Sequence, residues 1–179
     1  MRGRWRPLFG RSPHLGKGLR RWRMTQHQII TDEVQAWVGR RFDPITYEID
    51  PSGVRLFART MGYTDPIFYD REEAQRRGYR DIVAPFGYLG APVYNPAARP
   101  ANPLRLPELP LKRRLNGGTV MEYFAEVCAG DVLTATTSIE DIYERPGRTG
   151  PMAFIVLKTE FRDSEGRLVA TQQTTLIRY

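Results

Sequence analysis

The chain has 179 residues, 41% of them hydrophobic and 26% charged, which is the composition of one globular domain with its own core. Its one cysteine, Cys128, cannot form an internal disulfide, and no apolar run approaches the roughly 20 residues of a membrane span. Composition therefore excludes a disulfide scaffold and a transmembrane protein, and it predicts a soluble, cytoplasmic one.

The formal net charge of +7 is concentrated at the N-terminus. Residues 1–23 contain eight basic and no acidic residues, whereas residues 24–179 contain 19 basic and 20 acidic ones. The glycines and the lack of apolar periodicity predict that this leader is disordered. One interpretation is an arm that binds nucleic acid or a membrane surface. The other is that the start codon has been assigned upstream of the true start at Met24. We favour the second interpretation and expect neither nucleic acid nor a membrane as a partner.

The first half of the remaining chain predicts three short helices and one strand. An N-cap threonine predicts a helix over 31–38, and the alternating β-formers of 45–49 favour a strand. Asp50 followed by Pro51 predicts the start of a second helix, and Asp70 caps a third. The apolar face of the second helix is predicted to consist of Val54, Phe57, Ala58 and Met61.

Two segments in the middle of the chain have unusual compositions. Residues 82–93 are small and apolar, which predicts a buried central helix that neighbouring backbones approach closely. Residues 95–116 contain five prolines, which exclude a regular helix and a central strand. A connection of this length inside a domain is commonly a functional lid or wall.

The C-terminal third predicts a meander of four strands. The first covers 119–127 and the fourth 169–177, with turns predicted at 129–131, 145–147 and 163–166. The buried faces of the two middle strands are predicted to be Leu133, Ala135, Thr137, Ile139 and Tyr143, then Ala153, Ile155, Leu157 and Phe161. These strands and helices predict an α+β fold in which an antiparallel sheet curls around a central helix.

Three motifs occur in order along the chain: Asp-Pro-Ile-Phe at 65–68, Gly-Tyr-Arg-Asp-Ile-Val-Ala-Pro at 78–85 and Ala-Gly-Asp-Val-Leu at 129–133. This order resembles the MaoC-like hydratases and dehydratases, in particular their N-terminal fatty-acid-synthase-type dehydratase branch. That branch includes non-catalytic subunits of heterodimeric 3-hydroxyacyl-thioester dehydratases. The resemblance covers roughly residues 31–179. It implies a single hot-dog domain over 24–179 that pairs with another hot-dog subunit, and (R)-specific hydration of a 2-enoyl thioester or the reverse dehydration.

Catalytic members of this family carry the motif Asp-x-Asn-Pro-x-His, in which an Asp/His pair positions a water and exchanges protons with the substrate. Aligned on Pro66, this chain has Tyr63 in place of the Asp, Asp65 in place of the Asn and Phe68 in place of the His. Both histidines of the chain precede the first predicted helix. The resemblance therefore implies that the catalytic pair is missing. Asp65 stays a candidate general base, with a turn cap as the favoured interpretation.

A second departure occurs where the family has Ala-His-Gly-Met, since this chain has Ala-Pro-Phe-Gly at 84–87. Pro85 suits the first turn of a helix but removes one N–H from any site that polarises a thioester carbonyl. The resemblance nevertheless implies a wall for an acyl group near this segment, with plain core packing as the alternative interpretation. The candidate substrate-binding residues are Tyr63, Phe68, Pro85, Phe86, Gly87 and Tyr88.

Other reactive or charged residues have simpler explanations. Cys128 has no histidine near it in sequence and is predicted to be a buried or strand-end thiol. Lys112, Arg113 and Arg114 form either a solvated basic turn or a contact for coenzyme A phosphates or an acidic carrier protein. Neither metal-ligand spacing nor a dinucleotide fingerprint occurs, so we expect no metal and no cofactor.

The leading hypothesis is a substrate-binding subunit for an acyl-CoA or acyl-carrier-protein thioester, which forms a homo- or heterodimer with a catalytic hot-dog subunit. One alternative is a homodimeric acyl-thioester binding module without chemistry. Another is an autonomous hydratase that uses Asp65 with Tyr63 or an ordered water. A thioesterase is a further alternative, because a fold does not fix a function.

Overall fold

The computed structural model describes residues 29–90, 104–148 and 150–179. The predicted leader and the first part of the proline-rich segment lie outside these residues. The helices are α1 (Asp32–Gln35), α2 (Pro51–Thr60) and α3 (Arg71–Arg76), with 3-10 turns at Pro66–Phe68 and Tyr88–Gly90. The strands are β1 (Ile45–Glu48), β2 (Arg114–Tyr123), β3 (Val132–Gly147), β4 (Gly150–Arg162) and β5 (Leu168–Arg178).

Side-chain caps start the helices where the sequence predicted them. Thr31 accepts a hydrogen bond from the Val34 N–H, and Asp50 accepts one of 2.7 Å from the Gly53 N–H, with Pro51 at the first position of α2. The Asp70 carboxylate accepts hydrogen bonds from two backbone N–H groups of α3. Local chemistry therefore sets all three helix starts.

The five strands form one antiparallel sheet in the order β1-β3-β4-β5-β2. The α+β prediction is confirmed, and the consecutive strands β3, β4 and β5 pair as a meander. The predicted meander of four strands is wrong, because β2 pairs with β5 and not with β3. β1 and β2 are the edges, with four and ten residues respectively. One long edge and one short edge are therefore left on the sheet of the described chain.

The core divides into two apolar clusters. The first includes Ile49, Val54 of α2, Leu133 and Phe161, all with no more than 2% of their surface exposed. The second lies around Ile139, Ala153 and Ile155 and is partly covered by residues that include Trp37, Leu106 and Leu109. The core side of β4 is the predicted one, because Ala153, Ile155, Leu157 and Phe161 are all buried.

Several boundaries differ from the sequence-based predictions. Within the described part of 82–93, residues 82–87 are irregular and only Tyr88–Gly90 forms a 3-10 turn, so the predicted helix does not begin at 82. The rest of that segment lies outside the described residues. β2 covers 114–123 rather than 119–127, and it includes the last three residues of the segment 95–116.

Two further predictions about β3 are wrong. The residues 145–147 are not a turn, because they extend β3 and pair with 150–152 of β4. A bulge between Ile139 and Asp141 shifts the alternation by one residue, so Ile142 is buried in place of Tyr143. Met61 is also not part of the apolar face of α2, because it follows the helix end and is 60% exposed.

The turns predicted at 129–131 and 163–166 are present. Gly130 and Gly166 have φ angles of 86° and 80°, which glycine adopts readily. In the described part of the chain, no helix is long and apolar enough to cross a membrane.

Candidate functional site

Asp65 lies at the start of the 3-10 turn Pro66–Phe68, and both of its carboxylate oxygens have partners. One oxygen accepts a hydrogen bond of 3.1 Å from the Ile67 N–H and so caps the turn. The other forms an ion pair of 3.1 Å with the Arg77 guanidinium. The side chain is 41% exposed. This carboxylate is therefore engaged in holding the turn, and it has neither the burial nor the histidine partner that a general base of this type uses.

Tyr63 and Phe68, which stand where the resemblance implies Asp and His, pack against each other. Their ring centroids are 5.2 Å apart in an edge-on arrangement. The Tyr63 hydroxyl donates a hydrogen bond of 3.1 Å to the Phe86 carbonyl, and the Tyr69 hydroxyl donates one to the Tyr63 carbonyl. These side chains therefore connect the two loops of the candidate site and carry no acid–base pair.

Tyr123, at the end of β2, is a member of the site that the sequence did not indicate. Its hydroxyl oxygen accepts a hydrogen bond of 3.3 Å from the Gly87 N–H and is also bonded by the Leu89 backbone. Burial raises the pKa of Tyr123, and the two backbone hydrogen bonds partly oppose that rise. The Tyr123 ring lies 4.9 Å from the Phe86 ring. The phenol is therefore neutral near pH 7 and fixes the loop 85–89 to the sheet.

The other predicted substrate-binding residues differ in exposure. Pro85 and Tyr88 are buried, and the Tyr88 ring packs edge-on against Phe57 of α2 at 5.6 Å, so core packing explains both. Phe86 has 63% of its surface exposed, although its ring borders Tyr123. Gly87 has a φ of 91°, which allows the chain to turn between Phe86 and Tyr88. Of the six predicted residues, Phe86 is the large apolar side chain available at the surface.

Backbone hydrogen bonds attach the segment before this loop to the rest of the fold. The Val83 N–H donates to the Ile67 carbonyl at 3.0 Å, and the Ala84 N–H donates to the Val127 carbonyl at 2.7 Å. The first of these bonds connects the Asp65 turn with the loop that carries Phe86. The candidate site is therefore an aromatic surface whose loops are attached to the fold by main-chain hydrogen bonds.

An ion pair joins the segment before this loop to the turn at 129–131. The Arg80 guanidinium makes two hydrogen bonds of 2.6 and 2.8 Å to the two carboxylate oxygens of Asp131. The neighbouring carboxylate raises the pKa of Arg80. Asp131 also accepts a hydrogen bond from the Cys128 N–H, and the Cys128 side chain is buried. Cys128 therefore lies in the scaffold, away from solvent, in agreement with its predicted role.

Chemically, the described residues of the site offer an apolar ring face, two phenol groups and a carboxylate that is already paired. Residues 29–90, 104–148 and 150–179 contain no cluster of His, Cys, Asp or Glu that could hold a metal ion. An arrangement of this kind can contact an acyl group, but it has no pair of groups placed to deprotonate a water.

Comparison with known proteins places this fold in a family. Residues 36–172 match the model of the FAS1-like, dehydratase domain region. The chain belongs to this family. A UPF0336 protein of Streptomyces griseus subsp. griseus is 32% identical over 146 residues, which cover 80% of this chain and 93% of that protein. The FAS1-like dehydratase region is thus present over most of the described chain.

A second relative of this FAS1-like chain carries a functional name. The probable enoyl-CoA hydratase alpha subunit of Thermomonospora curvata is 30% identical over 161 residues, and these cover 82% of this chain. The match spans 50% of that longer protein. The predicted membership of the MaoC-like hydratases and dehydratases is confirmed at the level of the family.

A solved structure confirms the hot-dog fold. The HadBC (3R-hydroxyacyl-ACP dehydratase) complex from Mycobacterium tuberculosis includes a chain that superimposes with a TM-score of 0.61 at 21% identity. The match covers 79% of this chain and 96% of that one. At this identity the likeness shows the fold, and the role of the FAS1-like chain has to be argued from its own residues.

Proposed function

We propose that this chain is the substrate-binding, non-catalytic subunit of an (R)-specific enoyl-thioester hydratase or 3-hydroxyacyl-thioester dehydratase. The proposal rests on the contacts made by the residues at the positions of the catalytic motif. Tyr63 and Phe68 pack on each other, and the carboxylate of Asp65 caps a turn and pairs with Arg77. A hydration reaction needs a base for the attacking water and a proton donor for the α-carbon. A partner subunit would bring both.

The contribution of this chain would be a rigid wall for the acyl group. Phe86 is exposed, and its backbone is held from two sides by Tyr63 and, through Gly87, by Tyr123. A fixed apolar surface lowers the entropy cost of holding a flexible acyl chain next to catalytic groups. The rigid loop therefore suits positioning of a substrate on which another subunit acts.

The sheet offers a place for that partner. β2 is an edge strand of ten residues, and it exposes Leu115 and Val120, which are 53% and 61% accessible. A long edge with exposed apolar side chains favours addition of a strand from another chain. We therefore expect the partner sheet to continue this sheet beyond β2. The relatives support a two-subunit arrangement, since one is called an alpha subunit and another belongs to a HadBC complex.

The test is expression of this chain alone, and together with a hot-dog subunit that carries Asp-x-Asn-Pro-x-His. Hydration of crotonyl-CoA and of longer enoyl thioesters is then measured for each preparation. We expect turnover from the pair, higher than that of the catalytic subunit alone, and none from this chain alone. Robust turnover by this chain alone would overturn the assignment.

The oligomeric state of the chain alone distinguishes the second hypothesis, a homodimeric binding module. The β2 edge is equally available to a second copy of the chain, because its exposed face is the same in both cases. A stable homodimer that binds acyl thioesters and does not exchange subunits with any catalytic hot-dog protein would select the binding module.

A further inference from the structure

Two arginines lie directly opposite each other at the far end of the β2 edge. In the register of β2 and β5, Arg114 pairs with Arg178. Like charges at directly opposite positions of a sheet destabilise it. Burial, together with the charge of Arg114, lowers the pKa of Arg178. The pair is therefore an unfavourable arrangement for the folded chain by itself.

No Asp or Glu side chain forms an ion pair with either arginine. All 20 Asp and Glu side chains lie in the described residues, and none is within ion-pair distance of Arg114 or Arg178. The other arginines of the candidate-site region behave differently, since Arg71, Arg77 and Arg80 each pair with a carboxylate. The two strand arginines thus keep their charges available.

The arginine pair borders a groove of about 680 Å³. Two more cations line this groove, Arg105 and Lys112, against one carboxylate, Glu108. The remainder of the lining is largely leucine, from the segment between 104 and 111. The groove therefore combines an excess of positive charge with an apolar wall, which is the combination that an anionic group on an organic chain requires.

The groove and the aromatic site share one face of the sheet. Arg114, Thr119 and Tyr123 of β2 pair with Arg178, Thr174 and Ala170 of β5. Because side chains alternate between the two faces of a strand, these three even-numbered residues of β5 lie on one face of the sheet, and their partners in β2 lie on that face too. Nine steps of strand at about 3.3 Å each separate Arg114 from Tyr123 by about 30 Å. A long ligand with its anionic group in the groove could thus direct its other end toward the aromatic site.

We propose that this groove binds the phosphate groups of a pantetheine thioester, carried either by coenzyme A or by the phosphopantetheine arm of a carrier protein. A phosphate has several acceptor oxygens, and it can bridge two guanidinium groups with charge-assisted, bidentate hydrogen bonds. Its negative charge would offset the repulsion between Arg114 and Arg178. This inference rests on the proposed function, because it names the carrier of the acyl group that the chain would hold.

The test is a binding titration of the full chain with coenzyme A, dephospho-coenzyme A and pantetheine, which differ in their phosphates. We expect affinity to fall in that order. R178Q should weaken coenzyme A binding about 10-fold or more, which is the effect of losing a charge-assisted hydrogen bond. R59Q is the matched control, since Arg59 lies in the last turn of α2 and loses the same charge. It should change the affinity by less than about twofold, as surface charges outside a site do.

Stability separates a binding role from a structural one. R178Q should keep or raise the melting temperature because it removes a like-charge contact, whereas loss of a structural side chain would lower it. Holo- and apo-carrier protein form the second arm of the titration. Binding of the holo form alone would assign the groove to a carrier protein, and binding of free coenzyme A would assign it to that ligand. Measurable and equal affinity for coenzyme A and pantetheine, or equal effects of R178Q and R59Q on the ligand that binds, would overturn the proposal.

The failure of this inference can be told from failure of the proposed function. Enoyl thioesters of N-acetylcysteamine carry the acyl group without phosphates. If the complex hydrates them as efficiently as enoyl-CoA, and R178Q affects neither reaction, the groove has no role while the subunit assignment stands. If the complex hydrates neither substrate, the subunit assignment fails, and the coenzyme A titration still decides the groove.

Discussion

Substitution of Asp65 separates a structural from a catalytic role of this carboxylate. Asp65→Asn keeps the cap, because asparagine caps a helical turn about as well as aspartate, but it removes the ion pair with Arg77. Both partners of that pair are more than 40% exposed, so solvent screening limits its contribution to about 0.2–1 kcal/mol. Asp65→Ala also removes the cap, which adds about 1 kcal/mol to the loss.

The expected melting temperatures follow from these values. A loss of 1 kcal/mol lowers the melting temperature of a domain of this size by about 2–4 °C. We therefore expect a fall of at most about 4 °C for Asp65→Asn and of about 2–8 °C for Asp65→Ala, and calorimetry of the purified chain measures both. Under the proposed function, hydration by the complex with a catalytic subunit should stay within about twofold of the wild-type rate for Asp65→Asn, because the carboxylate would take part in no proton transfer.

The opposite pattern would refute the reasoning. If Asp65→Asn abolished turnover without lowering the melting temperature, Asp65 would be a catalytic base and the chain an autonomous or shared-site hydratase. Arg77→Gln serves as the control, since it removes the same ion pair and leaves the carboxylate in place, although it also removes the ion pair of Arg77 with Glu73. Under a structural role Arg77→Gln should therefore lower the melting temperature at least as much as Asp65→Asn does.

Other substitutions probe the scaffold and the edge. Tyr123→Phe leaves two backbone N–H groups without their acceptor and should destabilise the chain by about 1–3 kcal/mol in denaturant unfolding, whereas an unchanged midpoint would show that the bond contributes nothing. Phe161→Ala creates a cavity in the core and should cost about 3–5 kcal/mol, measured in the same way, and a loss below 1 kcal/mol would contradict its burial. Val120→Lys places a charge on the exposed edge and should reduce co-purification of the partner at unchanged melting temperature; full retention would move the interface away from β2.

The sequence predicted those parts of the fold that depend on neighbouring residues. Caps at Asp50 and Asp70 are local hydrogen bonds between a side chain and N–H groups two or three residues later, so the sequence contains all their determinants. The buried face of β4 was predicted for the same reason, because apolar residues alternate along its core side at 153, 155 and 157.

Parts that depend on distant contacts could not be predicted. The bulge after Ile139 changes which residues of β3 face the core, and alternation alone gives no sign of it. The extension of β2 back to Arg114 arises from pairing with the last strand. Tyr123 joins the candidate site because its hydroxyl meets an N–H group 36 residues earlier in the chain. A single sequence contains no local signal for such a meeting.

The bidentate contact between Arg80 and Asp131 has a consequence for how chains of this kind are recognised. Each residue belongs to one of the motifs that revealed the resemblance, Arg80 to the one at 78–85 and Asp131 to the one at 129–133. The two motifs are therefore the halves of a single brace that fastens a loop to the sheet. This contact involves neither Tyr63 nor Phe68. The motifs that reveal the resemblance therefore report on how the loop is fastened, and not on the positions on which the proposed non-catalytic role depends.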